Sequence, residues 1–332
     1  MAFGALLLLV SAIVAGGVGS VAIPPLDTVR IIASRLPFVE ISQTWADTSG
    51  TILWNLRLPR VVLAGLTGAA LAVSGATYQG LFRNPLADPY LIGVASGAGL
   101  AATIVLLAGV PVLILGFSVL PVAAFLGAVT AVTLAYLISR NADGMHLTTL
   151  ILAGVAITSL TTGITTLIML RSAPDLRPVF SWLLGGFNSA QWTHSAMLLP
   201  YLLLGTGAIM AYARIMNLMQ LSEEHAKQMG VNVQRAKLVL LAAATLATSA
   251  AVSFSGLIGF VGLIAPHAVR LVWGTDYRYL VPMSALIGAS FMIVADLAAR
   301  TVASPAELPV GVVTAFCGAP FFLYLLKARK AN

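Results

Sequence analysis

Apolar residues run almost unbroken along this chain, interrupted only by short clusters of charge, proline or glycine. The uninterrupted stretches last roughly 17 to 25 residues, the length that carries a helix across hydrocarbon. About ten can be marked, near 2–23, 61–82, 92–110, 114–138, 147–170, 190–213, 236–254, 257–272, 280–300 and 309–326. The strict polar–apolar alternation of a membrane β-barrel is missing, and in a bilayer each span must satisfy its own backbone, so the pattern predicts helices. The eighth stretch is short and carries Gly256, Gly259 and Gly262, which predicts a broken helix or one packed close to a neighbour.

Composition sharpens this reading. Of 332 residues, 59% are hydrophobic and 9% charged, and mean hydropathy is +0.97; soluble domains carry roughly 25% charge. The expected fold class is an all-α polytopic membrane protein, one transmembrane domain over 1–332. Lys and Arg then set its orientation. An even number of spans puts both termini on one face with the loops near 83–89, 139–146, 214–235 and 273–279. That face holds eleven of the 18 basic residues and a net charge of +6, against +1 on the other, so it is read as cytoplasmic. The basic balance reports topology, not nucleic acid. The first stretch is read as a span rather than a cleaved signal: small residues surround Ser20 and Ala22, but no Lys or Arg precedes Arg30.

Candidate chemistry is sparse. Cys317 is the single cysteine, His146, His194, His225 and His267 lack metal-ligand spacing, and no lysine follows a glycine as a phosphate-binding loop requires. Four features stand out instead. Arg83-Asn84-Pro85-Leu86-Ala87-Asp88-Pro89 puts charge and two prolines between spans. In the polar segment 217–235, Ser222 can cap a helix over about 223–229, with Glu223 and Glu224 in its first turn and Gly230 ending it. Such a helix suits contact with a soluble partner, or is an ordinary connector. Arg57-Leu58-Pro59-Arg60 opens the second span and Arg300 closes the ninth, as interfacial anchors or as partners for external carboxylates. Asp296, one turn before Arg300, is read as a counter-ion within the chain.

Several ordered motifs also carry a resemblance. They are RLPR at 57–60, GAALAVSGATYQGLFRNPLADPYLIGVASGAG at 68–99, LAGVAI at 152–157, SGLIGFVGLIAPHAVR at 255–270, GTDYR at 274–278, ADLAAR at 295–300 and ELPVGVVTAFCGAPFF at 307–322. Together with the Leu221–Val231 loop, they make the chain resemble the permease subunits of type II ATP-binding-cassette importers, which take up ferric siderophores, haem and cobalamin. The resemblance covers about 11–326.

It implies a homodimeric permease with the pathway between the two copies, a substrate-binding protein outside and two ATPase subunits inside. Those ATPases carry ATP and magnesium, and this chain binds no cofactor of its own. It further implies that Ser222, Glu223, Glu224, His225, Ala226, Lys227, Gln228, Met229 and Gly230 form the ATPase-coupling helix, and that Arg57, Arg60 and Arg300 dock the binding protein. Asn84, Leu86, Leu147 and Thr148 would form the inner gate. Arg177, in the outer segment Asp175-Leu176-Arg177, resembles an arginine of haem-type permeases and is a possible substrate contact. The chain departs from the family at Gly186, where a small polar residue is common, and at Ser222, where glycine is. An ion-coupled secondary transporter acting without an ATPase is the alternative reading, with Asp296 its only plausible intramembrane acid.

Overall fold

The computed structural model describes all residues except 20, 36–40, 110–112, 115–116, 142–143, 173–175 and 331–332. Ser20 and Asp175 therefore lie outside the described residues. The described residues are mostly helical: α1 (Ala2–Gly17), α2 (Pro25–Ala33), α3 (Asp47–Ile52), α4 (Leu58–Leu81), α5 (Val94–Leu107), α6 (Val119–Ser139), α7 (Leu147–Arg171), α8 (Arg177–Leu183), α9 (Trp192–Ala211), α10 (Ala213–Leu221), α11 (Glu223–Gln228), α12 (Val233–Ser255), α13 (Val261–Trp273), α14 (Tyr277–Thr301) and α15 (Val310–Lys330). Two two-residue antiparallel ribbons, Leu113–Ile114 with Phe117–Ser118 and Arg140–Asn141 with Gly144–Met145, lie between helices.

Six helices are long and apolar enough to cross a membrane, and α1, α5, α13 and the apolar part of α15 are shorter apolar helices. Each of these helices overlaps one of the stretches read from the sequence, and six of them have the length to cross a membrane. Boundaries differ at α1, which ends at Gly17 rather than near 23, at α6 and α13, which begin at Val119 and Val261 rather than near 114 and 257, and most of all at the second stretch. Arg57-Leu58-Pro59-Arg60 does not open a helix but lies inside a continuous helical run over Asp47–Leu81. Proline lacks an N–H and its ring collides with the carbonyl four residues back. Here a wide π turn over Leu53–Arg57 precedes Pro59, so the run continues through the proline.

The centre of the bundle is α4, whose spanning window is 83% buried, whereas that of α7 is only 11% buried. Small residues bring neighbours onto α4. A Cβ at Gly75 would overlap the Gly262 carbonyl of α13, and one at Gly68 would overlap Gly288 of α14. In a bilayer, where lipid is as apolar as the side chains, such close approach supplies the packing that holds helices together. The expectation for the eighth stretch is met in both respects: 256–260 is non-helical, and α13 packs tightly through Gly262.

Candidate functional site

At one end of the bundle a short helix stands outside the spans. Ser222 Oγ accepts a hydrogen bond from the Glu224 amide at 3.1 Å, and Gly230 ends the turn at φ +81°. Only Ala226 is buried, packed with Met219, Val233 and Ala236 in a small satellite core. The outward face presents His225, Lys227 and Gln228, flanked by Leu221 and Met229 at 79% and 68% exposure. Two large apolar side chains are thus exposed beside a polar connector.

This helix is tied to the bundle on three sides. Glu223 Oε2 lies 2.7 Å from Lys237 Nζ on α12, and its other oxygen is 4.0 Å from the Arg83 guanidinium at the end of α4. The preceding α10 is latched to α14: Asn217 donates to Asp276 at 2.7 Å and accepts from the Tyr277 amide at 2.9 Å. Gln220 donates to the Gly80 carbonyl at 2.9 Å. Hydrogen bonds from Arg278 and then Asn217 hold the Asp276 carboxyl below the usual carboxylate range.

The loop after α4 continues from the same junction. Arg83 takes φ +48°, a left-handed conformation uncommon outside glycine. Asn84 Oδ1 accepts from the Leu86 amide at 3.0 Å, and Asp88 Oδ1 accepts from the Tyr90 amide at 2.8 Å. Burial pushes the Asp88 carboxyl up to about 6. The Tyr90 hydroxyl then reaches the unwound segment before α13, donating to the Ile258 carbonyl at 3.0 Å and accepting from the Ile258 amide at 3.1 Å. One side chain thus satisfies both backbone groups of a residue that no helix serves. At the start of α7, Leu147 is half-buried and Thr148 exposed, like Leu86 and Asn84 respectively. The ribbon before them is held to α12, since the Met145 amide donates to Gln234 Oε1 at 3.0 Å. All four predicted gate residues therefore lie at the end that carries α11.

The opposite end collects the three arginines. Arg57 is buried and donates to the carbonyls of Gly16, Gly17 and Val21. Arg60 Nε bridges both oxygens of Asp296 at 2.9 and 3.0 Å, and its Nη1 reaches Glu307 at 2.9 Å. Arg300 donates to the Ala15 carbonyl and lies 3.7 Å from Asp296. The reading of Asp296 as an internal counter-ion holds, and it serves two arginines rather than one. Arg177 opens α8 and is exposed. Beneath α8 lies a cavity of about 370 Å³ lined by Ser181, Trp182, Asn188, Phe254 and Glu307.

Sequence reasoning missed Lys237 and Tyr90. Lys237 had a usable signal: with Val233, Ala236 and Leu240 it stands on one apolar face of α12 at i, i+3, i+4 and i+7 spacing, and all four are buried. Tyr90 had none, because its partner is backbone 168 residues away.

Comparison with known proteins agrees with this architecture. The chain is 43% identical to a cobalamin import system permease protein of Halobacterium salinarum, over 92% of this chain and 83% of that one. It is 41% identical to a hemin transport system permease protein of Yersinia pestis, over 86% and 87%. A solved structure described as an inward-facing conformation of a metal-chelate type ABC transporter superposes with a TM-score of 0.83 at 30% identity, covering 98% of both chains. The FecCD transport family matches residues 7–328, and this multi-pass membrane protein belongs to it.

Proposed function

We propose that the chain is one permease subunit of an importer for a bulky metal chelate, energised by a separate ATPase. Two copies would form the translocation unit, each crossing the inner or plasma membrane ten times with both termini cytoplasmic. The single observation that carries this reading is α11: a capped helix outside the spans, bared toward solvent through Leu221 and Met229 and anchored to α12 and the loop after α4 through Glu223. It has the form of a lever, and the chain carries no phosphate-binding loop of its own to drive it. ATP and magnesium would sit on the partner ATPase, and no cofactor on this chain.

The pathway would run between the two copies, along α7. That helix is the least buried of the six long ones, yet it exposes Ser159, Thr162 and Thr166 along one face. Hydroxyls there suit a water-filled route. Asn84, Leu86, Leu147 and Thr148 would narrow its inner end, and Arg177 would stand near its outer end. A substrate-binding protein would dock at the end where Arg57, Arg60 and Arg300 lie. Arg57 and Arg300, expected from the resemblance as docking residues, are turned inward onto backbone carbonyls and Asp296, so the exposed charge offered there is Glu307, with Arg60 behind it. Relatives named for cobalamin and hemin support a metal chelate as the cargo, with selection left mainly to the binding protein. An ion-coupled transporter would need an acid free to bind its ion, and Asp296 is engaged by Arg60 and Arg300.

The test is reconstitution of the purified chain in vesicles, with and without its ATPase and binding protein, and uptake of cyanocobalamin, haemin and ferric citrate. Uptake that requires ATP and both partners is expected. Uptake by the chain alone, driven by an ion gradient, would reject the assignment.

A further inference from the structure

Lys237 is out of place by the ordinary rules of a membrane helix. It occupies the buried face of α12, its side chain is 6% exposed, and its ammonium meets Glu223 of α11 at 2.7 Å. A lysine near the membrane boundary normally turns its stem outward and keeps its charge in water. Here the charge is held inside by one carboxylate from another element. That carboxylate, 32% exposed, also faces Arg83 at 4.0 Å, so one group joins α11, α12 and the loop after α4. Glu223 is further suited to its place by the positive end of the α11 dipole.

We infer that the Glu223–Lys237 pair is the pin through which displacement of α11 is handed to α12 and to the Asn84–Leu86 loop, making both residues positioning residues for transport. The inference rests on the importer reading. Its physical basis is that the pair cannot separate without leaving a buried ammonium uncompensated. A push on α11 therefore moves α12 with it instead of bending the connection. The latch of Asn217 to Asp276 and the Tyr277 amide holds the other end of this connector on α14, so α11 is loaded between two fixed points.

The test uses the permease assembled with its ATPase in inside-out vesicles, with Cys317→Ser and Thr148→Cys, and follows labelling by a membrane-impermeant maleimide before and after trapping with ATP and vanadate. In this parent the trapped state should change the labelling rate by about tenfold, within the usual range of coupling between sites. In Glu223→Gln the change per trapped complex should fall to less than about twofold. Lys237→Met, which places an apolar side chain on an apolar face, should give the same loss with the fold intact, and Glu223→Gln combined with Lys237→Met should be no worse than either alone. A purely structural role would reduce the amount of trapped complex and leave the change per complex unaltered. An unchanged response in Glu223→Gln, or additive losses in the double variant, would overturn the pin. No response to nucleotide in the parent would overturn the importer reading beneath it.

Discussion

At the end of the bundle away from α11, Arg57, Arg60 and Arg300 turn their guanidiniums into the bundle, onto backbone carbonyls and Asp296, which is 1% exposed. At the end that carries α11, Glu223, Arg83, Asp276 and Arg278 sit at element junctions with side chains 31% to 52% exposed, whereas Lys237 is withdrawn. These arginines fasten α1, α4 and α14 to one another. The charges at the α11 end join a small external helix to the helices that carry the fold. A charge buried among spans acts as a fixed fastener, because separating it from its partners costs several kcal/mol. A half-exposed pair such as Asp276–Arg278 can exchange with water at little cost, whereas the withdrawn Lys237 keeps Glu223 engaged.

The largest expected effect tests the fastener. Asp296→Asn leaves Arg60 and Arg300 without their shared counter-ion and should cost about 3–5 kcal/mol, read as an early thermal transition in detergent. Glu307→Gln, which removes the exposed partner of the same Arg60, should cost less than about 1 kcal/mol. Equal losses would erase the distinction between a buried and a half-exposed charge at this end.

Next comes the link between the ends. Tyr90→Phe keeps the ring but strips the Ile258 amide and carbonyl of their partner, and should cost about 1–3 kcal/mol. Hydrogen exchange should speed up at residues 256–260 more than elsewhere. Uniform exchange across the chain would mean that the unwound segment does not depend on the hydroxyl.

How much of this could be read beforehand follows from the range of each interaction. The spans were legible because hydrophobic length is a local property. So were the Ser222 cap and the Gly230 stop, each set by neighbours within a few residues. The arginines were legible as important positions, but their surroundings were not, since Arg57 meets Gly16 and Gly17 some forty residues away. The π turn that carries the helix through Pro59 was hidden because proline after Arg57 is an ordinary helix start by pattern alone. The exposed face of α11 follows from Ala226 alone being buried, which depends on Met219, Val233 and Ala236 meeting in space.

A smaller effect falls on the external helix. Ser222→Ala removes the acceptor of the Glu224 amide and should weaken α11 by about 1 kcal/mol. Because α11 adds little to the total burial, the thermal transition should barely move while exchange at the Glu224 and His225 amides accelerates. A large global loss would show that α11 is part of the fold's foundation, contrary to the contrast drawn between the two ends.

The smallest effect is a dependence on pH at Asp276. Its carboxyl is held low by hydrogen bonds from Arg278 and Asn217, so the unfolded chain takes up a proton at higher pH than the folded one. The stability from this group is therefore fully present above the ordinary aspartate range, near pH 4, and is lost as pH falls through and below it. Asp276→Asn removes that component, so the variant should lose less stability than the parent between pH 5 and pH 3 when unfolding is followed in detergent. The group is half-exposed, so the difference should be small and should shrink further as salt is raised. Asp296 offers the opposite case at the other end, where a counter-ion shielded from solvent should make the loss in Asp296→Asn nearly indifferent to salt. A salt response of the same size at both aspartates would mean that the two ends hold their charges in the same way.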